Sequence, residues 1–162
     1  TRERSLAGVL RPFLAQPDRK VVPPLLKPAI EAAGKLADDG LVPLLLAVVK
    51  DSKNVDIAGV ALTAFSGYGQ NKRTRVTILR EIVNSVEKDK PSSGTKWKNT
   101  DGTPVENGTT RSSDDSAARF QALGPVLVKV FNAMTGQNCG TSADCFALWS
   151  KYKSTPGDLF AN

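Results

Sequence analysis

The titratable side chains of this sequence are thiols, carboxylates, amines, guanidinium groups and phenols. None of its 162 residues is histidine. That absence excludes catalytic pairs in which histidine activates serine or cysteine, and it excludes zinc sites that use histidine. An enzyme would need a buried carboxylate, lysine, tyrosine or cysteine in a pocket, and the sequence offers no such candidate. We therefore expect a protein that is not an enzyme and that uses no cofactor or metal.

Two cysteines, Cys139 and Cys145, stand six positions apart near the end of the chain. Without histidine they do not supply the four ligands of a structural zinc site. Their closeness in a loop before a helix permits a local disulfide in an oxidising compartment. The alternatives are two unrelated thiols, one of them buried beside Phe146, and a redox site. A disulfide would favour the cell envelope or a secreted location over the cytoplasm.

Basic residues accompany a tryptophan in the middle of the chain, as they do on surfaces that bind single-stranded nucleic acid. These candidate binding residues are Lys72, Arg73, Arg75, Lys88, Lys90, Lys96, Trp97 and Lys98. The formal net charge of +6 suits an anionic partner, although it also lies within the range that keeps a small domain soluble. A solvated segment whose tryptophan packs on its own domain explains the same residues. Nucleic acid is therefore the alternative partner, behind a protein or peptide.

Two pairs of neighbouring carboxylates, Asp38-Asp39 and Asp114-Asp115, could suggest a metal site or an acid–base pair. Both pairs stand at predicted helix ends, where caps and turns favour aspartate. Neither has the alternating oxygen ligands of a calcium loop. We interpret them as capping residues.

A repeat of apolar positions predicts the elements that carry these side chains. The segment 29–33 (Ala-Ile-Glu-Ala-Ala) returns 32 positions later as 61–65 (Ala-Leu-Thr-Ala-Phe), and the apolar positions of 41–48 return 35 positions later in 76–83. A spacing in the low thirties with helical periodicity is typical of stacked helical hairpins. Each hairpin is too thin to bury its apolar face alone, so neighbouring hairpins must cover it.

The predicted helices are bounded by turn residues and helix caps. They span residues 4–15, 20–37, 41–50, 55–66, 72–89, about 113–134 and 142–153, with a kink expected at Pro28 and a break or a kink at Pro125. The polar stretch 90–113 is predicted to be an insertion between the two helices of the third hairpin, and 136–162 a C-terminal cap and tail. No apolar run approaches the length of a membrane span. Because the chain starts at Thr1 rather than methionine, a preceding signal or domain could have been removed.

Hairpins of this length, with a small apolar second helix (Ala61-Leu62-Thr63-Ala64-Phe65) followed by a glycine, resemble HEAT repeats over roughly residues 6–135. The Asp-Pro turn of that family is present in altered form at 16–21 and 51–55. The closing segment, from Met134 to Trp149, is similar to the C-terminal cap of many bacterial HEAT-repeat proteins, in which the tryptophan covers the last hairpin.

This resemblance implies a single all-α domain over residues 1–162, an α-solenoid of about three HEAT-like hairpins with a C-terminal capping helix. It implies a scaffold that presents the concave surface of its second helices to a protein or peptide. One family of similar architecture consists of DNA glycosylases that use a carboxylate and tryptophans in the groove. No carboxylate–aromatic set of this chain matches theirs residue by residue.

Overall fold

The computed structural model describes residues 2–15, 23–68, 72–91 and 113–160. These residues form seven α-helices and no strand: α1 (Arg2–Leu14), α2 (Pro23–Leu36), α3 (Val42–Asp51), α4 (Val55–Ala64), α5 (Lys72–Glu87), α6 (Ser113–Thr135) and α7 (Ser142–Tyr152). Short 3₁₀ turns cover Asp39–Leu41, Phe65–Gly67 and Pro156–Phe160. The predicted all-α class is confirmed.

Successive helices pack in pairs, α1 with α2, α3 with α4 and α5 with α6. The pairs also contact one another, because α4 packs against both α2 and α6, and α3 packs against both α1 and α5. The even-numbered helices α2, α4 and α6 therefore lie side by side, and the odd-numbered helices α1, α3 and α5 lie behind them. The hydrophobic core fills the space between these two sets.

The C-terminal segment covers the α5–α6 pair. Helix α7 packs on α5 and α6, and the turn Pro156–Phe160 packs on α5 and α7. Phe146 and Trp149 of α7 are buried in the same core cluster as Phe131 of α6. Helix α7 lies where the last helix was predicted, and its Trp149 is buried as expected.

Helix α6 spans the predicted range and runs without a break through Pro125, from Ser113 to Thr135, so the expected break is absent and a kink stays a prediction. A proline inside a helix leaves the carbonyl one turn earlier, here that of Gln121, without its helical partner. Both Pro125 and Gln121 are exposed, so water can satisfy that carbonyl. The helix ends where expected, at Gly136, whose φ of 74° is the left-handed conformation that glycine adopts easily.

A buried ion pair joins helices α3, α5 and α6. The guanidinium group of Arg119 donates from Nε to Asp89, 2.8 Å away, and through its two terminal nitrogens to the carbonyls of Ser52 and Val49 at the end of α3. Arg119 and Asp89 are 4% and 6% exposed. Most of the predicted insertion 90–113 lies outside the described residues, and this ion pair joins the chain immediately before it to the chain immediately after it.

Candidate binding groove

The exposed surface of α2, α4 and α6 forms a groove of about 760 Å³. Its lining comes from all three helices: Lys27, Glu31, Gly34 and Lys35 of α2, Val55, Asp56, Gly59, Val60, Thr63 and Ala64 of α4, Gly67 of the following turn, and Ala122, Leu123 and Val126 of α6. We call this cavity the α2–α4–α6 groove. A volume of this size, with a mostly apolar lining and a few polar groups, is typical of ligand-binding clefts.

Small residues bring α2 and α4 into close contact on one side of the groove. A Cβ atom on Gly34 would lie 2.9 Å from both backbone and side-chain atoms of Ala64, and one on Gly67 would overlap the carbonyl of Gly34. A larger residue at either position would therefore push the two segments apart. These glycines set the depth of the groove by fixing how near the helices approach.

Gly59 has a different role, because it lies in α4 where nothing fills the space above it. A Cβ atom there would meet just one described atom within 4 Å, a methyl group of Leu123 at 3.9 Å. The absence of a side chain at Gly59 therefore leaves the floor open between α4 and α6. Any large residue at this position would enter the groove rather than the core.

Helix α4 forms the floor of the groove, and hydrogen bonds before and after it hold it in place. The Asn54 side chain accepts hydrogen bonds from the backbone N–H groups of Asp56 (2.9 Å) and Ile57 (3.3 Å), which starts the helix. After the helix, Tyr68 is buried and its hydroxyl donates to the carbonyls of Ala33 (3.4 Å) and Asp38 (3.2 Å) at the end of α2. Burial first, and then the nearby carboxylates of Asp38 and Asp39, raise the pKa of Tyr68, so the phenol stays a donor.

Three of the four charged residues that line the groove belong to α2, and the fourth is Asp56 of α4. Lys27, Glu31 and Lys35 are exposed and follow one another at intervals of four residues, which places them on one face of the helix. Within the described part of the chain, no ion pair involves any of the three. The α6 wall consists of Ala122, Leu123 and Val126 and carries no charge. The groove is therefore charged along one wall and apolar along the other.

The predicted basic residues that the structure describes lie on α5 or just after it, away from the groove. Arg73 is exposed near the start of α5, and Lys88 and Lys90 are exposed beyond its end. Along α5, the fifteen residues from Arg73 to Lys88 correspond to about 22 Å. The Lys72 side chain and the whole of Lys96, Trp97 and Lys98 lie outside the described residues.

Arg75 serves the fold of the C-terminal segment. Its terminal nitrogen donates to the carbonyl of Met134 at the end of α6 (3.2 Å), and its guanidinium carbon lies 4.7 Å from the centre of the Phe160 ring. It thereby links α5, the end of α6 and the C-terminal turn. Of the described candidate residues, Arg73 and Arg75 thus lie near the start of α5, and Lys88 and Lys90 lie beyond its end.

The predicted disulfide between Cys139 and Cys145 is not formed. Both residues are free, buried thiols, close together but not at bonding distance. The side chain of Asn132, on α6, forms two hydrogen bonds with the backbone of Cys139. Cys145 belongs to the first turn of α7. Burial raises the pKa of both thiols, which disfavours the reactive thiolate. The expected envelope or secreted location depended on this disulfide, so it has no support from the structure.

Comparison with known proteins places this chain in no family. No family model, no curated protein and no solved structure matches it. The resemblance to HEAT repeats therefore rests on the residues quoted above. In the described ranges, no cluster of three or more cysteine or carboxylate side chains could hold a metal ion. No described helix is long and apolar enough to cross a membrane.

The sequence indicated the general location of the groove but not its residues. The even-numbered helices were predicted to carry the binding surface, yet none of the lining side chains was singled out as a binding residue. The spacing of Lys27, Glu31 and Lys35 was visible as charged positions on the polar face of a predicted helix. It could not be assigned to a groove without knowing which helices pack beside that face.

Proposed function

We propose that this protein is a non-enzymatic binding protein of HEAT-like α-solenoid architecture that takes a peptide segment of another protein in the α2–α4–α6 groove. The observation that carries the proposal is the open floor at Gly59, between an apolar wall and a charged one. Apolar surface favours contact by burial, and charges on the rim select among partners. The neighbouring contacts of the three helix pairs support the solenoid architecture.

Filling the groove from its own floor tests this function. The substitution Gly59→Phe places a ring above α4, where a Cβ atom meets nothing closer than 3.9 Å. Gly8→Phe is the matched control, because Gly8 is exposed in α1 and a Cβ atom there meets nothing within 4 Å. Circular dichroism should show that both variants keep their helices, so a difference in binding reports on the groove.

The probe is a random peptide library displayed on phage and selected against the unmodified protein. We expect selected peptides to bind the Gly8→Phe variant equally well and to lose at least about tenfold in affinity for the Gly59→Phe variant, which corresponds to roughly 1.4 kcal/mol. Failure to select any peptide, or equal binding to both variants, would overturn the proposal.

The nucleic-acid alternative is tested by measuring the binding of labelled duplex and single-stranded DNA to the same variants. Binding that survives about 0.15 M salt and is unaffected by Gly59→Phe would favour the basic residues of α5 as the functional surface. Binding that disappears with salt would leave the net charge of +6 as a determinant of solubility.

A further inference from the structure

The order of charges on the α2 side of the groove indicates which charges a partner should present. Lys27, Glu31 and Lys35 present the order positive, negative, positive along two turns of α2. Residues four apart on a helix are about 6 Å apart along its axis, so the row extends over about 12 Å. Opposite charges at this spacing often pair within their own helix, yet these three form no ion pair among the described residues.

The opposite side of the groove requires a different chemistry. Leu123 and Val126 of α6 present apolar surface, and Gly59 and Ala122 leave room for a partner to approach closely. A partner in this groove therefore needs one apolar flank, against α6, and one charged flank, against α2. These two flanks are the property of an amphipathic helix.

We propose that the partner segment is an amphipathic α-helix whose charged flank has the order acidic, basic, acidic at every fourth residue. This inference rests on the function proposed above. A helix that lies nearly parallel or antiparallel to α2 repeats the same axial spacing, so its three charges face Lys27, Glu31 and Lys35 in register. A helix with the reversed order places like charges against all three.

Two synthetic helical peptides with the same apolar face serve as probes. One carries Glu, Lys and Glu at every fourth position of its charged flank, and the other carries Lys, Glu and Lys. The variant Lys27→Glu, Glu31→Lys, Lys35→Glu reverses the wall and changes the net charge by −4 + 2 = −2. Lys153→Glu, at an exposed position after α7, changes the net charge by the same −2 and is the matched control.

We expect the first peptide to bind the unmodified protein about tenfold more tightly than the second, because three exposed pairs each contribute modestly. Fluorescence anisotropy should show the preference inverted on the reversed wall, retained on the Lys153→Glu control and weakened by salt. Equal affinity for the two peptides, or a preference that does not invert, would overturn the inference.

The outcomes separate this inference from the proposed function. If both peptides bind equally and both lose affinity for Gly59→Phe, the groove binds peptides and the charge order does not select them. If neither peptide binds while library peptides depend on Gly59, the groove accepts another class of segment and the helix inference is wrong. If no groove-dependent binding is found with any probe, both proposals fail.

Discussion

Arg119 joins three separate parts of the fold through hydrogen bonds of its side chain. It reaches the carbonyls at the end of α3 and the carboxylate of Asp89 after α5, while belonging to α6 itself. Because it is almost completely buried, its charge is stabilised by these partners instead of water. Arg119 and Asp89 are 30 positions apart, and nothing in the apolar repeat indicated that they would meet.

Replacing Arg119 by methionine should strongly destabilise the protein. The substitution keeps an apolar stem but leaves Asp89 buried without this partner, and breaking a buried ion pair from one side costs about 3–5 kcal/mol. Urea denaturation followed by circular dichroism measures the free energy of unfolding.

The double variant Arg119→Met, Asp89→Leu is the control, because it removes both charges together. It should recover part of the lost stability, although the carbonyls of Val49 and Ser52 still lose their donor. A single variant within about 1 kcal/mol of the unmodified protein would show that the ion pair is less important than its burial suggests.

At the scale of single elements, α7 depends on its first turn. The Thr141 hydroxyl accepts a hydrogen bond from the backbone N–H of Asp144 (3.3 Å), and the Asp144 carboxylate accepts from the backbone N–H of Thr141 (2.8 Å). These reciprocal bonds form a capping box. Hydrogen bonds from the Thr141 hydroxyl, and then from its backbone, hold the pKa of Asp144 below its usual value.

The stability contributed by this capping box should depend on pH. A carboxyl group whose pKa is lowered by folding stabilises the protein above its unfolded pKa of about 3.9, and this contribution disappears as the pH falls through the lower folded pKa. Thr141→Ala should therefore lower the free energy of unfolding more at pH 7 than at acidic pH, because it removes a cap whose partner is the ionised carboxylate.

Urea titrations of the unmodified protein and of Thr141→Ala, at pH 7 and below pH 4, measure this difference. We expect it to become smaller at the acidic pH. A difference that stays constant or grows towards low pH would show that the Asp144 carboxylate does not contribute to the cap.

The sequence predicted where the helices lie along the chain but not which side chains line the space between them. Apolar spacing located all seven helices, and Thr141, Asn54 and Gly136 are turn or cap residues of kinds that sequence patterns reveal. The sequence left open whether Pro125 breaks α6, because solvent exposure of the freed carbonyl depends on packing. The groove was not resolved into residues for the same reason, since the open space above Gly59 is a property of three helices together.

At the scale of the whole molecule, the two sides of α1 differ in their contribution to stability. Leu14 is completely buried, whereas Val9 on the same helix is 59% exposed and Leu6 is similarly exposed. The C-terminal side of the fold, in contrast, is covered by α7 and its buried Trp149.

Substitutions at these two positions of α1 should therefore give different results. Leu14→Ala should cost about 2–5 kcal/mol, because it creates a cavity in the core. Val9→Lys should change the free energy of unfolding by no more than about 0.5 kcal/mol, as is usual at the surface. Urea denaturation of both variants measures the contrast, and a large loss for Val9→Lys would mean that this face is covered in solution.

The α2–α4–α6 groove also has a consequence for the way the protein unfolds. A bound segment touches one helix from each of the three pairs, so separating any pair from its neighbour would also release the ligand. A ligand present at a hundred times its dissociation constant raises the free energy of unfolding by about 2.7 kcal/mol. The free energy of binding would then add to the contacts between the helix pairs, and we expect the pairs of the bound protein to unfold together.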